Sequence, residues 1–450
     1  MTNSTQRSEL NTTPKNSIRI NMKYFLFLLT FTSLIFITEQ MHAQMNAQTP
    51  APAQSEIIAL TGGTIHTVTN GVIENGVIVF EDGLITHIGS NVRLPADART
   101  VDVTGKYIYP GLIDAYNRIG IFEIGAVGMT VDINEQGPIN PNARAERAFN
   151  PESRHIGVAR SAGVLTSVTT PGGGLISGQS AAMKMDGWSW DEMTLKPGTG
   201  LIVNWPGTGD DYEENIQTLR DAFADARSYK KAKEAMDSGE ASRHDRDTRW
   251  EAMIPVFEGD TPVVVNANEV RQIQDAITWA EEEDVRLIIL GGRDAHLIGQ
   301  HLSDKQIPVI ITTVLTSPNR NWEGYDSRYA LPAKLFQAGV QFAIAGAPDA
   351  ANVNRLPFEA GAAVAYGLSE DAALRSLTIS PAAILGIDDR VGSLEEGKDA
   401  TLMITNGNPL EYETQIEQVY IQGRKSDMMD MHKQLYEKYR EKVNQASANE

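Results

Sequence analysis

Between about residues 108 and 387 the chain alternates short apolar runs of β character with stretches whose apolar residues recur at helical spacing. The runs at Val164–Pro171, Thr261–Asn268, Arg286–Gly292, Ile307–Thr313 and Gln341–Pro348 read as strands. The stretches at Glu269–Val285, Ala295–Lys305, Leu331–Gly339 and Glu359–Gly367 read as the helices between them. A strand that leads through a helix into another strand builds parallel βα units. A series this long and regular favours a closed (βα)8 barrel of the TIM type over an open sheet.

The flanks read differently. Residues 56–107 and 388–425 hold short strands broken by glycine turns, with Asp82-Gly83 as a hairpin signal. Neither end has enough strands to close a core alone, so both together are expected to form one small composite β-sandwich domain beside the barrel at 108–387. Residues 44–55 read as a polar linker, and 210–242 as a charged, solvated helical insertion. In the tail, 426–450, Met428, Met431, Leu435, Tyr439 and Val443 fall at helical spacing and predict a terminal helix docking one face.

A formal charge of −19 argues against nucleic acid or an anionic membrane surface as a partner. With no cysteine there is no disulfide, thiol nucleophile, lipid-modified cysteine or cysteine-ligated metal. Near the start, Lys23 precedes an apolar run from Tyr24 to Ile37, and Ala43 offers a small residue before a cut at Gln44. That run is too short to span a bilayer and has the order of an export signal over 1–43, with translation beginning at Met1 or Met22. A periplasmic or secreted protein is expected.

The stretch Pro110–Arg118, PGLIDAYNR, follows a short apolar strand at Tyr107–Tyr109. It resembles the first barrel strand of the amidohydrolase superfamily. The block Ser380–Ile404, SPAAILGIDDRVGSLEEGKDATLMI, is similar to the segment by which these proteins return from the barrel to the β-domain. Together they cover nearly the whole chain after the export segment, with the imidazolonepropionase-like and dihydroorotase-like branches nearest. The resemblance implies hydrolysis of non-peptide carbon–nitrogen bonds at the C-terminal ends of the barrel strands. It also implies a zinc or other divalent metal held by His-x-His on strand one, histidines on strands five and six, and an aspartate on strand eight.

Carried over residue by residue, that metal site is degenerate. Tyr116 and Arg118 stand at the His-x-His positions, Asn266 at strand five, Gly291 at strand six, and Ala347 near the aspartate, with Asp349 two residues on. A phenol is a poor ligand at neutral pH and a guanidinium repels a divalent cation. Zinc lowers the pKa of its water from about 15.7 to roughly 7, which is about 12 kcal/mol of nucleophile activation at roughly 1.36 kcal/mol per unit. No metal or other cofactor is therefore expected.

Asp349 is left as the catalytic candidate. Tyr116, Arg118, Asn266, Asn268, Arg293, Asn352 and Arg355 are the ligand-binding candidates, the two barrel-mouth arginines being suited to a carboxylate or phosphate. The histidines at 66, 87, 155, 244, 296, 301 and 432 are scattered and read as surface or core residues. Gly173–Ser180, GGLISGQS, resembles a phosphate-binding loop only without its lysine and reads as a flexible βα loop. There is no Gly-x-Ser-x-Gly elbow.

The leading reading is an exported amidohydrolase-family protein, by resemblance a small-molecule carbon–nitrogen hydrolase, without the metal-hydroxide route. The rival is a catalytically inactive binding or assembly subunit. Expected partners are a small, anionic molecule, and either a second copy or an intact paralogous subunit. N-terminal sequencing of protein from its native host is expected to begin near Gln44; an intact 22–37 segment on the exported form would contradict the export signal.

Overall fold

The computed structural model describes residues 49–240 and 245–447. The expected export signal and His244 lie outside these residues. Pro50 to Glu450 forms one compact unit, and Ala51, in the expected linker, is tied down by its amide, which donates to the Asp186 carboxylate at 3.3 Å.

Both ends of the chain meet in a single sheet. It comprises β1 (Ile58–His66), β2 (Val72–Glu81), β3 (Leu84–Gly89), β4 (Arg99–Asp102), β5 (Tyr107–Pro110), β14 (Leu402–Thr405), β15 (Ile416–Ile421) and β16 (Arg424–Ser426). The order is β16-β15-β14-β5-β1-β2-β3, with β4 on β1. Antiparallel pairing of β5 with β14, Tyr107 opposite Thr405 and Pro110 opposite Leu402, joins the two halves. The composite domain is thus present, and what was expected as a sandwich is one continuous sheet. It wraps its own core of Leu60, Ile65, Ile78, Phe80, Ile108, Leu402 and Tyr420. Asp82 and Gly83 both take positive φ, 50° and 84°, and close the β2–β3 hairpin in the geometry that matches strand twist. The β5 strand, expected at the start of the barrel, belongs to this sheet.

The barrel sheet has eight strands: β6 (Leu112–Asn117), β7 (Val164–Thr169), β8 (Ile176–Lys184), β9 (Thr194–Asn204), β10 (Val263–Ala267), β11 (Leu287–Gly291), β12 (Val309–Thr312) and β13 (Phe342–Ala345). Seven run parallel to one another. The eighth, β8, runs antiparallel to β7 and β9. It lies where a flexible loop was expected, because the glycines of GGGLISGQS lead into a strand rather than staying coil.

Alternation along the strands sorts two cores. Ile113, Ala115, Val168, Ile202, Val264, Ile288, Leu290, Ile310, Ala343 and Ala345 fill the barrel interior, with Ile384, Leu385 and Ile387 packed into the same cluster. Val203, Val263, Val265, Ile289, Val309 and Ile344 face outward onto the helices.

The long helix Tyr212–Asp237, expected as a solvated excursion, buries Leu219, Ala222, Phe223, Ala226 and Tyr229 along one face. Phe223 meets Trp279 edge-on at 4.8 Å and Phe257 at 5.9 Å. In the terminal helix Met431–Ser447, Met431 packs on the core together with Met428 just before it, whereas Leu435, Tyr439 and Val443 are exposed. Docking is therefore confined to the start of that helix. Truncating Phe223 to alanine should cost about 3–5 kcal/mol of stability by denaturant unfolding. A loss well below 1 kcal/mol would return the helix to the status of an excursion.

Candidate functional site

The C-terminal ends of the barrel strands collect polar side chains in two neighbourhoods. The first is built on β6. Its register against β7 slips between Asp114 and Asn117, which pair with Ser167 and Thr169, so β6 carries one extra residue. This bulge breaks strict alternation: Ala115 lies in the interior core and the adjacent Tyr116 packs against the same cluster. Burial pushes the Tyr116 phenol up, while the neighbouring Arg118 guanidinium pulls it back. Arg118 lies against bare backbone, where a Cβ on Gly172 would come within 2.9 Å of its Nη2. Its Nε is buried without a hydrogen-bond partner.

Asp114 fixes the bulge. Its carboxylate is fully buried and accepts from Asn117 Nδ2 at 2.7 Å, the Tyr116 amide at 3.3 Å and the Gly346 amide at 3.4 Å. Burial pushes its pKa up to about 7 against those three donors, with the Glu359 carboxylate adding to the rise. Asn117 in turn accepts from the amides of Arg118 and Ile119, at 2.7 and 3.1 Å.

Amides line the next strands. Asn266 on β10 donates to Asn204 Oδ1 on β9 at 3.3 Å, and Asn268 donates to Asn266 Oδ1 at 3.5 Å. Asn204 anchors the row by donating to Gly174 O and Ser177 Oγ, each at 2.9 Å. Gly291 ends β11 at φ +92°, and an ideal Cβ there would lie 2.6 Å from Asn268 Oδ1. A side chain at 291 would be strained by the left-handed backbone and would have to push the Asn268 amide aside.

The second neighbourhood lies beyond β11. Arg293 donates to Glu269 at 3.3 Å and stands 3.7 Å from Asp294. Asp294 accepts both guanidinium arms of Arg320, at 2.9 and 2.8 Å. Burial raises the Asp294 pKa, but Arg320, the Val270 amide and Arg293 together outweigh it and leave the carboxyl below its ordinary value. Arg328, 6% exposed, donates to the carbonyls of Thr312 and Thr313 at 2.7 and 2.9 Å. It thereby holds Thr313 at φ +59°, a strained backbone for a β-branched residue. Glu359 accepts the next two amides, Val314 and Leu315, each at 2.6 Å.

The remaining candidates are placed apart from these clusters. Asp349 accepts from the amide of Ala351 at 3.0 Å and from Asn352 Nδ2 at 2.8 Å, capping the short helix Ala350–Arg355. Arg355 is exposed at the end of that turn. Sequence reasoning passed over Asn204, Asn117, Arg320 and Arg328. For Asn204 a signal exists: LIVN in β9 and VVVN in β10 are the same apolar run ending in the same amide. Arg328 acts through contacts 15 and 16 residues away, which no local pattern marks.

The resemblance implies a divalent metal. At the four positions expected to carry imidazole stand a half-buried phenol, a guanidinium, an amide and a glycine in a left-handed conformation. Among the described residues no three His, Cys, Asp or Glu side chains group to hold an ion. The residues do not fit the group.

The amidohydrolase family model matches residues 298–431. An amidohydrolase of Hapsidospora irregularis is 24% identical over 391 residues, 77% of this chain and 39% of its own length. An imidazolonepropionase of Mesorhizobium japonicum is 36% identical over 93 residues, 18% of this chain and 23% of its own. The chain therefore spans well under half the length of these relatives. Among solved structures, an amidohydrolase from Thermotoga maritima superposes with a TM-score of 0.76 at 29% identity, covering 82% of this chain and 99% of that one.

Asp114 gives a pH signature. Its folded pKa lies above the ordinary carboxylate value, so the folded state holds a proton that the unfolded state releases at lower pH. Its contribution is present in acid and is lost as pH rises through about 7. The melting temperature should fall from pH 5 to pH 8, and Asp114→Asn should flatten that slope. An unchanged slope in the variant would show that Asp114 does not titrate there.

Proposed function

Because the chain belongs to the amidohydrolase family, we propose that it is an exported, periplasmic or secreted member that binds a small anionic molecule at its barrel mouth and lacks the family's metal-hydroxide route. The observation that carries this reading is the side-chain set at the strand ends. Tyr116, Arg118, Asn266 and Gly291 occupy the positions of the expected imidazoles. They offer hydrogen-bond donors and one fixed positive charge in place of ligands for a cation.

Arg118 supplies the charge. Its unpartnered Nε and its position against the bare backbone of Gly172 suit an incoming carboxylate or phosphate oxygen. The row Asn204, Asn266 and Asn268 presents amide donors and acceptors on the adjoining strands, and such groups orient a ligand more than they bind it. Hydrolysis of a non-peptide carbon–nitrogen bond is the ancestral chemistry. Stripped of its metal, the mouth is better suited to holding the molecule than to activating water. The chain then acts as a binding subunit, alone or beside an intact paralogue.

The test uses the mature protein. Small carboxylates and phosphates screened by thermal shift should include at least one that stabilises it, with the shift lost in Arg118→Ala. Adding zinc, iron or manganese should create no amidase or dihydroorotase-like activity. A shift that survives Arg118→Ala removes Arg118 from the site, and metal-dependent turnover overturns the binding reading.

A further inference from the structure

We propose that a second cavity, between the loop after β11 and the segment that follows β12, binds a small aromatic or otherwise apolar carboxylate. The inference is independent of the mouth reading, because neither Arg118 nor the asparagine row forms its wall.

The cavity has a volume of about 190 Å³, more than ten times the roughly 15 Å³ that one water needs. Four of its lining residues carry a buried polar atom with no hydrogen-bond partner: Arg293 Nε, His296 Nδ1, Ser327 Oγ and Arg328 Nε. Buried polar groups are overwhelmingly satisfied, so four orphans on the wall of one cavity point to a ligand that satisfies them. Two are guanidinium donors, and a hydroxyl can donate as well. Arg328 is the strongest of them, since it is almost wholly buried and its other hydrogen bonds, to Thr312 and Thr313, fix its orientation.

The charges favour an anion. Asp294 is neutralised by Arg320 at 2.8 Å and stands 3.7 Å from Arg293, whose outer nitrogen meets Glu269 at 3.3 Å, so the charge left to a ligand comes from Arg328 and Lys334. Glu323 is engaged too, with Oε1 taken by the Arg320 side chain at 3.3 Å and Oε2 by the Asn319 and Arg320 amides at 2.8 and 3.2 Å. Arg293 and Arg328 are close enough to depress the Arg328 guanidinium, after burial as the main cause. Lys334 adds an exposed ammonium with no carboxylate at ion-pair distance among the described residues. Burial first and Lys334 second lower the His296 pKa, so its ring is neutral at neutral pH.

The rim supplies the other half of the ligand. Trp322 is 75% exposed and Leu297 59%, and both line the cavity. Arg320 lies 5.1 Å from the Trp322 ring centre, within cation–π range of the indole. An acid group satisfies the buried donors while an apolar ring covers Trp322 and Leu297, a combination that inorganic phosphate or acetate lacks.

The experiment is calorimetric titration of the mature protein at neutral pH with benzoate, and with acetate, benzamide and inorganic phosphate as comparisons. Benzoate should bind saturably, with acetate and benzamide at least about tenfold weaker, as expected for loss of a charged hydrogen bond or of an apolar ring. Arg328→Gln should weaken benzoate by a similar factor. Because that change also frees the Thr312 and Thr313 carbonyls, Trp322→Ala and Ser327→Ala serve as surface and cavity variants that leave the fold intact; both should weaken benzoate, and Arg118→Ala should not. Three results overturn the proposal: no saturable benzoate binding, phosphate or acetate binding as tightly as benzoate, or benzoate binding lost in Arg118→Ala and kept in Trp322→Ala. The last would place the acid at the mouth.

Discussion

One buried carboxyl bridges the seam of the barrel. Strands β6 and β13 end the sheet path and share no ladder, so the seam between them is where an eight-stranded barrel would open. Asp114 reaches across it to the Gly346 amide while holding Asn117 and the Tyr116 amide on its own strand. The same contacts fix the bulge that turns Tyr116 onto the interior core and orders the chain at Arg118. A fully buried carboxylate is costly, and its raised pKa is the sign of that cost. The three donors offset it only in part, which ties the closure of the fold to the proton on Asp114.

From that seam the mouth follows. A bulged first strand points a phenol inward, and the guanidinium next to it settles over glycine backbone. The left-handed Gly291 admits the Asn268 amide where a side chain would otherwise stand. These features support one another. An imidazole placed at 291 would displace the amide row, and one placed at 116 would face the Arg118 charge. The mouth is organised around neutral amides and one cation, an arrangement that attracts anions and disfavours a divalent metal.

Much of the architecture was legible because it rests on period and punctuation. The apolar runs of β7 and β10 to β13 and the Asp82-Gly83 hairpin are local signals, and pairing of the two chain ends followed from each being too short to bury a core. What stayed hidden depends on long-range partners. β8 follows a run of three glycines and holds another at Gly178, and its strand character comes from pairing with both β7 and β9. β9 is interrupted by Pro197 and Gly198, which lie opposite a register slip beside Ala181 and erase its alternation. The insertion looked solvated by charge, yet a stripe through Phe223 buries it. At the site, Asn266 could be read from its strand end. The 116/118 pairing assumed an unbroken pleat, and the bulge set by Asp114 removes that premise. Arg328 and Arg320 lie in an irregular segment with no period to betray them.

The proposed reading requires that this mouth hold no metal. Elemental analysis of the mature protein, purified from its native host without chelator, tests it most directly. The account predicts zinc, iron and manganese far below one ion per chain. One tightly held ion per chain, retained through dialysis, would contradict it.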